Sequence, residues 1–338
     1  MVSPHDLTSS LVGGMSMGIG GLPYRSFRDA FEPSVRGTDI ATVPTLPRRS
    51  PAENMIAQAV VGIRGVSLGQ YGSIAIDVDL IDPFAFVSTD LNDAAYASFR
   101  QFLKHAAGHS GPVKWQFVGP VTLGAVLQRA GVHADVAYQV AMQAIRAHID
   151  YLLTRVERAL PGCVQIVVLD EPNFGVISDQ GSTLAPDAAV DLLSGALAAI
   201  EPAAISGVHC CEHADIAALL AAGPTVLSVP SSTSLIDSAG YLQRFLEHNG
   251  WIAWGAVPTD GPLPTTSDRC WRQLSDLWCQ LVQRGCDPSM LRRQSLITPE
   301  CGLSDHTMQA TEQILRLTRE VSARVKDQSL ATRLVLGA

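Results

Sequence analysis

Short apolar, β-branched runs alternate with longer segments of helical spacing along the whole chain. The runs lie at 11–19 (LVGGMSMGI), 39–45 (DIATVPT), 113–119 (VKWQFVG), 164–170 (VQIVVLD), 204–209 (AISGVH), 225–229 (TVLSV), 251–257 (WIAWGAV) and 294–299 (QSLITP). Their length and composition predict strands. Helical spacing follows at about 24–35, 51–62, 123–159, 186–201, 212–222, 236–248, 266–285 and 304–325, with a break in the third segment near Gly131. Ser50-Pro51 reads as a cap residue followed by proline in a first helical turn, Pro186 opens another helix, and Glu201-Pro202 closes it. Residues 70–86 (QYGSIAIDVDLIDPFAF) alternate like a hairpin, and 92–108 adds one more helix, both inserted after the second strand–helix pair.

Eight repeated βα units imply a parallel sheet, and eight fit a closed barrel better than an open sheet. The predicted fold is therefore α/β: a single (β/α)8 TIM barrel covering residues 1–338, with the hairpin-plus-helix insertion. No linker divides the units. An open doubly wound sheet is the rival, but "GIGGLPYRS" after the first run lacks GxGxxG, and no GxxxxGK[ST] occurs, which argues against nucleotide binding by those means.

Composition narrows the function classes. The chain is 47% hydrophobic and 17% charged, and no apolar run is long enough to predict a membrane span. A net charge of −8, with Lys and Arg scattered singly, leaves no footprint for nucleic acid or anionic lipid, so the expected partner is a small molecule. The start, "MVSPHDLTSS", has no secretory pattern, and the expected location is the cytoplasm. Seven cysteines, an odd number, do not suggest a disulfide framework there. Cys163, Cys270, Cys279 and Cys286 read as packing residues.

In a parallel barrel the reactive groups come from the carboxyl ends of the strands. Those ends carry Gly20-Gly21, Arg48-Arg49, Asp170-Glu171, His209-Cys210-Cys211, Thr259-Asp260 and Glu300-Cys301. His209 and Cys211 are two apart, so on an extended chain they share a side while Cys210 points away. With Cys301 from the last strand end they make one nitrogen and two thiolate ligands, a set that suits Zn2+. A zinc site of this kind activates a bound thiol as a nucleophile. The bland reading of an HxC strand end is core packing, and the second cysteine at another strand end outweighs it. Asp170 suits a substrate amine, with Glu171 and Asp260 as further catalytic candidates. Arg48 and Arg49 suit a carboxylate or phosphate clamp, and Gly20 and Gly21 a close backbone approach to a ligand.

The ordered set "GIGGLPYR", "GPVT", "LDEP", "HCC" and "PECGL" resembles the C-terminal zinc barrel of cobalamin-independent methionine synthases, within the wider group that includes uroporphyrinogen decarboxylase. The resemblance spans nearly the whole chain. It implies zinc on His209, Cys211 and Cys301, contact between Asp170 and the homocysteine amine, and the glycines at the carboxylate end. It also implies a methyl or alkyl donor, with folate or a corrinoid as candidates. Where the family has a glutamate as fourth ligand, this chain has Pro230 and Ser231, leaving Glu212, Glu300, water or substrate for that position. Where the family has a histidine after the seventh strand, Thr259 and Asp260 stand, and Gly21 occupies a common serine position. The expected activity is zinc-dependent S-alkylation of a small thiol, homocysteine first. Rival readings are a decarboxylase using Arg48 and Arg49, and a non-catalytic thiol- or corrinoid-binding barrel.

Overall fold

A computed structural model describes residues 7–69, 72–176, 184–211 and 215–336. Its strands are β1 (Ala41–Thr42), β2 (Val66–Leu68), β3 (Ile74–Ile76), β4 (Val113–Val118), β5 (Gln165–Asp170), β6 (Ile205–His209), β7 (Val226–Pro230), β8 (Trp251–Val257) and β9 (Ser295–Pro299). Seven of them form one parallel sheet in the order β1-β4-β5-β6-β7-β8-β9, and β2 and β3 form a separate antiparallel pair. Sequential order with helical crossovers is what repeated βα units produce. Among the described residues no helix is long and apolar enough to cross a membrane.

The sheet curls until one segment reaches both of its edges. Gly14 N–H donates to the Ser295 carbonyl (2.7 Å) and Met17 N–H to that of Ile297 (2.9 Å), both on β9. On the other side Ile40 N–H donates to Ser16 (2.9 Å) and Thr45 N–H to Gly20 (3.0 Å). The strand expected at 11–19 is thus a run of isolated bridges at Ser16, Met17 and Gly21. Glycine explains the irregularity: Gly14 and Gly20 take φ of 91° and 130°, which breaks an extended ladder.

Other expectations shift in detail. The third helical segment divides into α4 (Pro120–Arg129) and α5 (Ala134–Ala159), with Gly131 at φ 103° between them. Upstream lie α1 (Phe27–Arg36), α2 (Met55–Ala59) and α3 (Ala97–His105). Ser50 makes no capping bond. Pro51–Glu53 is a 3-10 turn, and Asn54 caps α2 by accepting from Ile56 N–H at 3.0 Å. The insertion hairpin pairs 66–68 with 74–76 instead of filling 70–86. Pro83 has no N–H to give a ladder, and the Asp82 carboxylate takes the Phe84 N–H at 2.9 Å, so alternation there ends in a turn. Beyond β5 follow α6 (Pro186–Leu197), α7 (Ile216–Ala221), α8 (Ala239–Glu247), α9 (Ser267–Gln283), α10 (Pro288–Arg293) and α11 (Met308–Leu336). Cys163, Cys270 and Cys286 are buried as expected, but Cys279 is exposed.

Two cores result. The larger lies between the sheet and its helices and holds Trp115, Phe117, Val208, Cys210 and Trp254. The smaller fills the inner, concave face with Met17, Ile40, Ile166, Val168, Ile205 and Leu296 among others. The two faces alternate residue by residue along β5 and β6, as a pleated strand requires.

Candidate metal and thiol site

The inner face changes character at the carboxyl ends of the strands. Below, Ile166, Val168 and Ile205 are apolar; two residues beyond Val168 on the same face stands Asp170. Strand register places Asp170 beside His209 and His209 beside Ser228. Asp170, His209 and Ser228 are all buried. Each polar group is carried there by period-2 alternation on a strand whose other positions feed the cores.

His209, Cys211 and Cys301 each bring a ligand atom to within 4.8 Å of the other two. Cys210 points into the outer core, so the thiols flanking the inner face come from Cys211 and from the turn after β9. His209 Nδ1 lies 3.0 Å from Ser228 Oγ. With Nδ1 donating to that hydroxyl, Nε2 presents a lone pair, and it is buried without a hydrogen bond. The Cys211 thiol, donating to Cys301, is the main pull that lowers the Cys301 thiol to about 4, while the same contact first, and burial next, raise that of Cys211. One imidazole nitrogen and two cysteine sulfurs gathered this closely fit a metal with nitrogen and sulfur preference. Glu300 is not one of the three clustered ligands, and Glu212 falls outside the described residues.

Asp170 has one carboxylate oxygen, Oδ1, buried and unpartnered. Burial pushes its carboxyl up to about 6, against the pull of His209 and Lys114 and with a smaller push from Cys301. Glu171 sits differently. Its carboxylate accepts from Val121 N–H (2.9 Å), Thr122 N–H (2.7 Å) and Thr122 Oγ1–H (2.6 Å), tying the end of β5 to the first turn of α4. Burial still lifts its carboxyl to about 7.

Gly20 and Gly21 lie buried above β1, and a Cβ on Gly20 would meet the Gln116 amide at 2.4 Å. The Gly21 carbonyl accepts from Leu303 N–H (2.8 Å), which links this turn to the loop carrying Cys301. Among the described residues nothing accepts from the N–H of Gly20 or Gly21.

The two arginines expected as a clamp are engaged separately. Arg49 is bonded to the buried carboxylate of Glu53 one helical turn on, and Arg48 donates to the Asp305 carbonyl at 2.7 Å. Each guanidinium thus has its own partner within the chain. Asp260 is exposed and, with Glu300, Cys211 and Cys301, lines a cavity of about 380 Å3.

Two residues absent from the sequence-based reading belong to this floor. Ser228 holds His209. Lys114 is fully buried on β4, its Nζ donating to the Ile19 carbonyl and to Gln116 Oε1 (2.5 Å). Burial lowers the Lys114 ammonium to about 8, although the Asp170 charge pulls the other way. The available signal was a Lys and a Gln two apart on an otherwise apolar strand, which puts both on one face.

No family model matches the sequence, and no curated protein does. Solved structures do. A B12-independent methionine synthase from Shewanella sp. W3-18-1, in complex with selenomethionine, aligns at TM-score 0.64 and 15% identity, over 95% of this chain and 100% of that one. A putative vitamin-B12 independent methionine synthase from Listeria monocytogenes aligns at TM-score 0.52 and 16% identity, over 80% of this chain and 77% of that one. The chain shares its fold with these structures.

Proposed function

We propose that the protein is a (β/α)8 barrel, with residues 14–21 as its first strand, that catalyses zinc-dependent S-alkylation of a small amino-acid thiol, homocysteine being the first acceptor to test. The convergence of His209, Cys211 and Cys301 within 4.8 Å, around an unpartnered buried Nε2, carries the reading. The similarity to structures described as B12-independent methionine synthases supports the choice of reaction class. These three residues would hold zinc, which when bound stabilises a thiolate at neutral pH.

The remaining residues supply binding and orientation. The orphaned Asp170 Oδ1 accepts from the acceptor's ammonium group, gaining the partner that burial otherwise denies it. The unengaged N–H groups of Gly20 and Gly21 suit the acceptor's carboxylate. Lys114 and Gln116 hold the floor between these two subsites, and Glu171 fixes Asp170 by anchoring the end of β5 to α4. Holding both ends of the amino acid leaves its sulfur one fixed direction of approach.

Metal analysis of purified protein tests this. One zinc per chain is expected, with loss of metal in His209→Ala and Cys301→Ser and of thiol alkylation with it. Protein free of zinc, or a His209→Ala variant with unaltered zinc content, refutes the reading.

A further inference from the structure

We propose that Gln116 is a specificity-determining residue of the acceptor site, its side-chain amide N–H groups holding the carboxylate of an α-amino acid whose ammonium rests on Asp170. The assignment rests on the thiol-alkylation reading above and narrows its acceptor to a free amino acid.

Alternation along β4 sends Trp115 and Phe117 into the outer core and Lys114 and Gln116 to the inner face. Gln116 is the one residue of β4 that is not buried, so its side chain reaches open space on that inner side. The neighbouring lysine decides which edge of the amide faces that space. Lys114 Nζ donates to Gln116 Oε1 at 2.5 Å. An ammonium has only N–H groups to give, so the amide oxygen faces Lys114 and the two N–H groups of Nε2 turn away from it. Among the described residues nothing accepts from Nε2. A donor held in place by a buried lysine, and left without an acceptor in the chain, is available to a ligand.

Its surroundings fit an amino acid. The amide lies against Gly20, where a Cβ would meet its carbon, nitrogen and oxygen alike at 2.4 Å. The side-chain N–H groups thus adjoin the unengaged backbone N–H groups of Gly20 and Gly21, and a carboxylate, with two oxygens, can accept from both sets. On the adjacent strand Asp170 offers the opposite. Register places Asp170 beside Val118, two residues beyond Gln116. With strands ~4.8 Å apart and a rise of ~3.3 Å per residue, the Cα atoms of Gln116 and Asp170 stand about 8 Å apart. Asp170 Oδ1 is buried without a partner, an acceptor suited to a cation. A carbon bearing both an ammonium and a carboxylate can bond each side at the ordinary length of about 2.8 Å and bridge that gap. A thiol that lacks its carboxylate, or holds it in a peptide bond, leaves Gln116 and the glycine N–H groups unserved.

The test uses the zinc-loaded protein with iodomethane as a neutral methyl source and three thiols: homocysteine, 3-aminopropanethiol, which lacks the carboxylate, and 4-mercaptobutyrate, which lacks the ammonium. Homocysteine should exceed 3-aminopropanethiol at least a hundredfold in kcat/KM. Gln116→Leu and Gln116→Glu should each lower that ratio at least tenfold, mostly through the KM of homocysteine, and lower kcat/KM for 4-mercaptobutyrate in parallel. Gln116→Glu keeps an acceptor for Lys114, so its effect reads the lost N–H donors. Calorimetric titration with methionine, in protein with and without zinc, gives a readout apart from turnover, and Gln116→Leu should weaken that binding fivefold or more. Thermal melts and zinc content check that the variants fold. Equal handling of homocysteine and 3-aminopropanethiol by the unsubstituted protein, or an unaltered ratio and methionine affinity in folded variants, overturns the inference while leaving thiol alkylation standing. Failure to bind zinc and to alkylate any of the three thiols above the uncatalysed rate overturns the function reading, and this inference with it.

Discussion

Lys114 offers the sharpest physical test of how the site floor is built. Its ammonium is fully buried on β4, and burial lowers it from 10.5 to about 8. Between those two values the unfolded chain binds a proton that the folded chain does not, so stability rises with pH across that window and the deficit is complete below it. The shift corresponds to about 3 kcal/mol in all, at ~1.4 kcal/mol per pH unit. Lys114→Met removes the titration but strands the Ile19 carbonyl and Gln116 Oε1, an offset of about 1–3 kcal/mol for each acceptor that does not itself titrate. Urea unfolding of both proteins at fixed free zinc, followed by the fluorescence of buried Trp115 and Trp254, yields the difference in stability at each pH. Cysteine and tyrosine titrations common to both cancel in that difference. Wild type should gain about 2–3 kcal/mol on the variant between pH 7.5 and 10. A difference that stays flat within about 0.5 kcal/mol would show that Lys114 is not held as a buried, desolvated ammonium.

Three further substitutions separate binding from architecture. Glu171→Ala leaves two backbone N–H groups and a hydroxyl buried without an acceptor at the start of α4, and should cost about 3–5 kcal/mol in urea unfolding. A cost under 1 kcal/mol would deny it the anchoring role. Ser228→Ala frees His209 Nδ1 and should weaken zinc binding by roughly 10-fold in a chelator competition, with little change in the melting temperature. Gly20→Ala meets the Gln116 amide at 2.4 Å from a backbone with φ 130°, and should raise KM for homocysteine more than it lowers kcat. An unchanged KM would remove the glycine turn from the acceptor site.

These positions differ in how far the sequence alone exposes them. The strands β4 to β9 and the pairing of His209 with Cys211 are local: β-branched runs, period-2 alternation and small breaker residues decide them within a few positions. Cys301 was reachable because strand ends in a parallel sheet open on one side. Residues 11–19 look equally strand-like by hydropathy, yet their glycines reduce them to isolated bridges. Arg48 and Arg49 show a different limit. The Arg49–Glu53 pair has helical i,i+4 spacing and is readable in hindsight, but Arg48 finds its acceptor at Asp305, far along the chain. Ser228 acts through lateral register and Lys114 through a carbonyl 95 residues away, and hydropathy along one strand says nothing about either partner. Glu171 makes the point most clearly. Next to Asp170 in a strand-end "DEP", it looked like a second catalytic carboxylate, yet alternation turns it to the opposite side, onto the N–H groups of α4. Adjacent acids at a strand end are therefore divided by the pleat: Asp170 faces the inner side beside His209, and Glu171 holds the helix that follows β4.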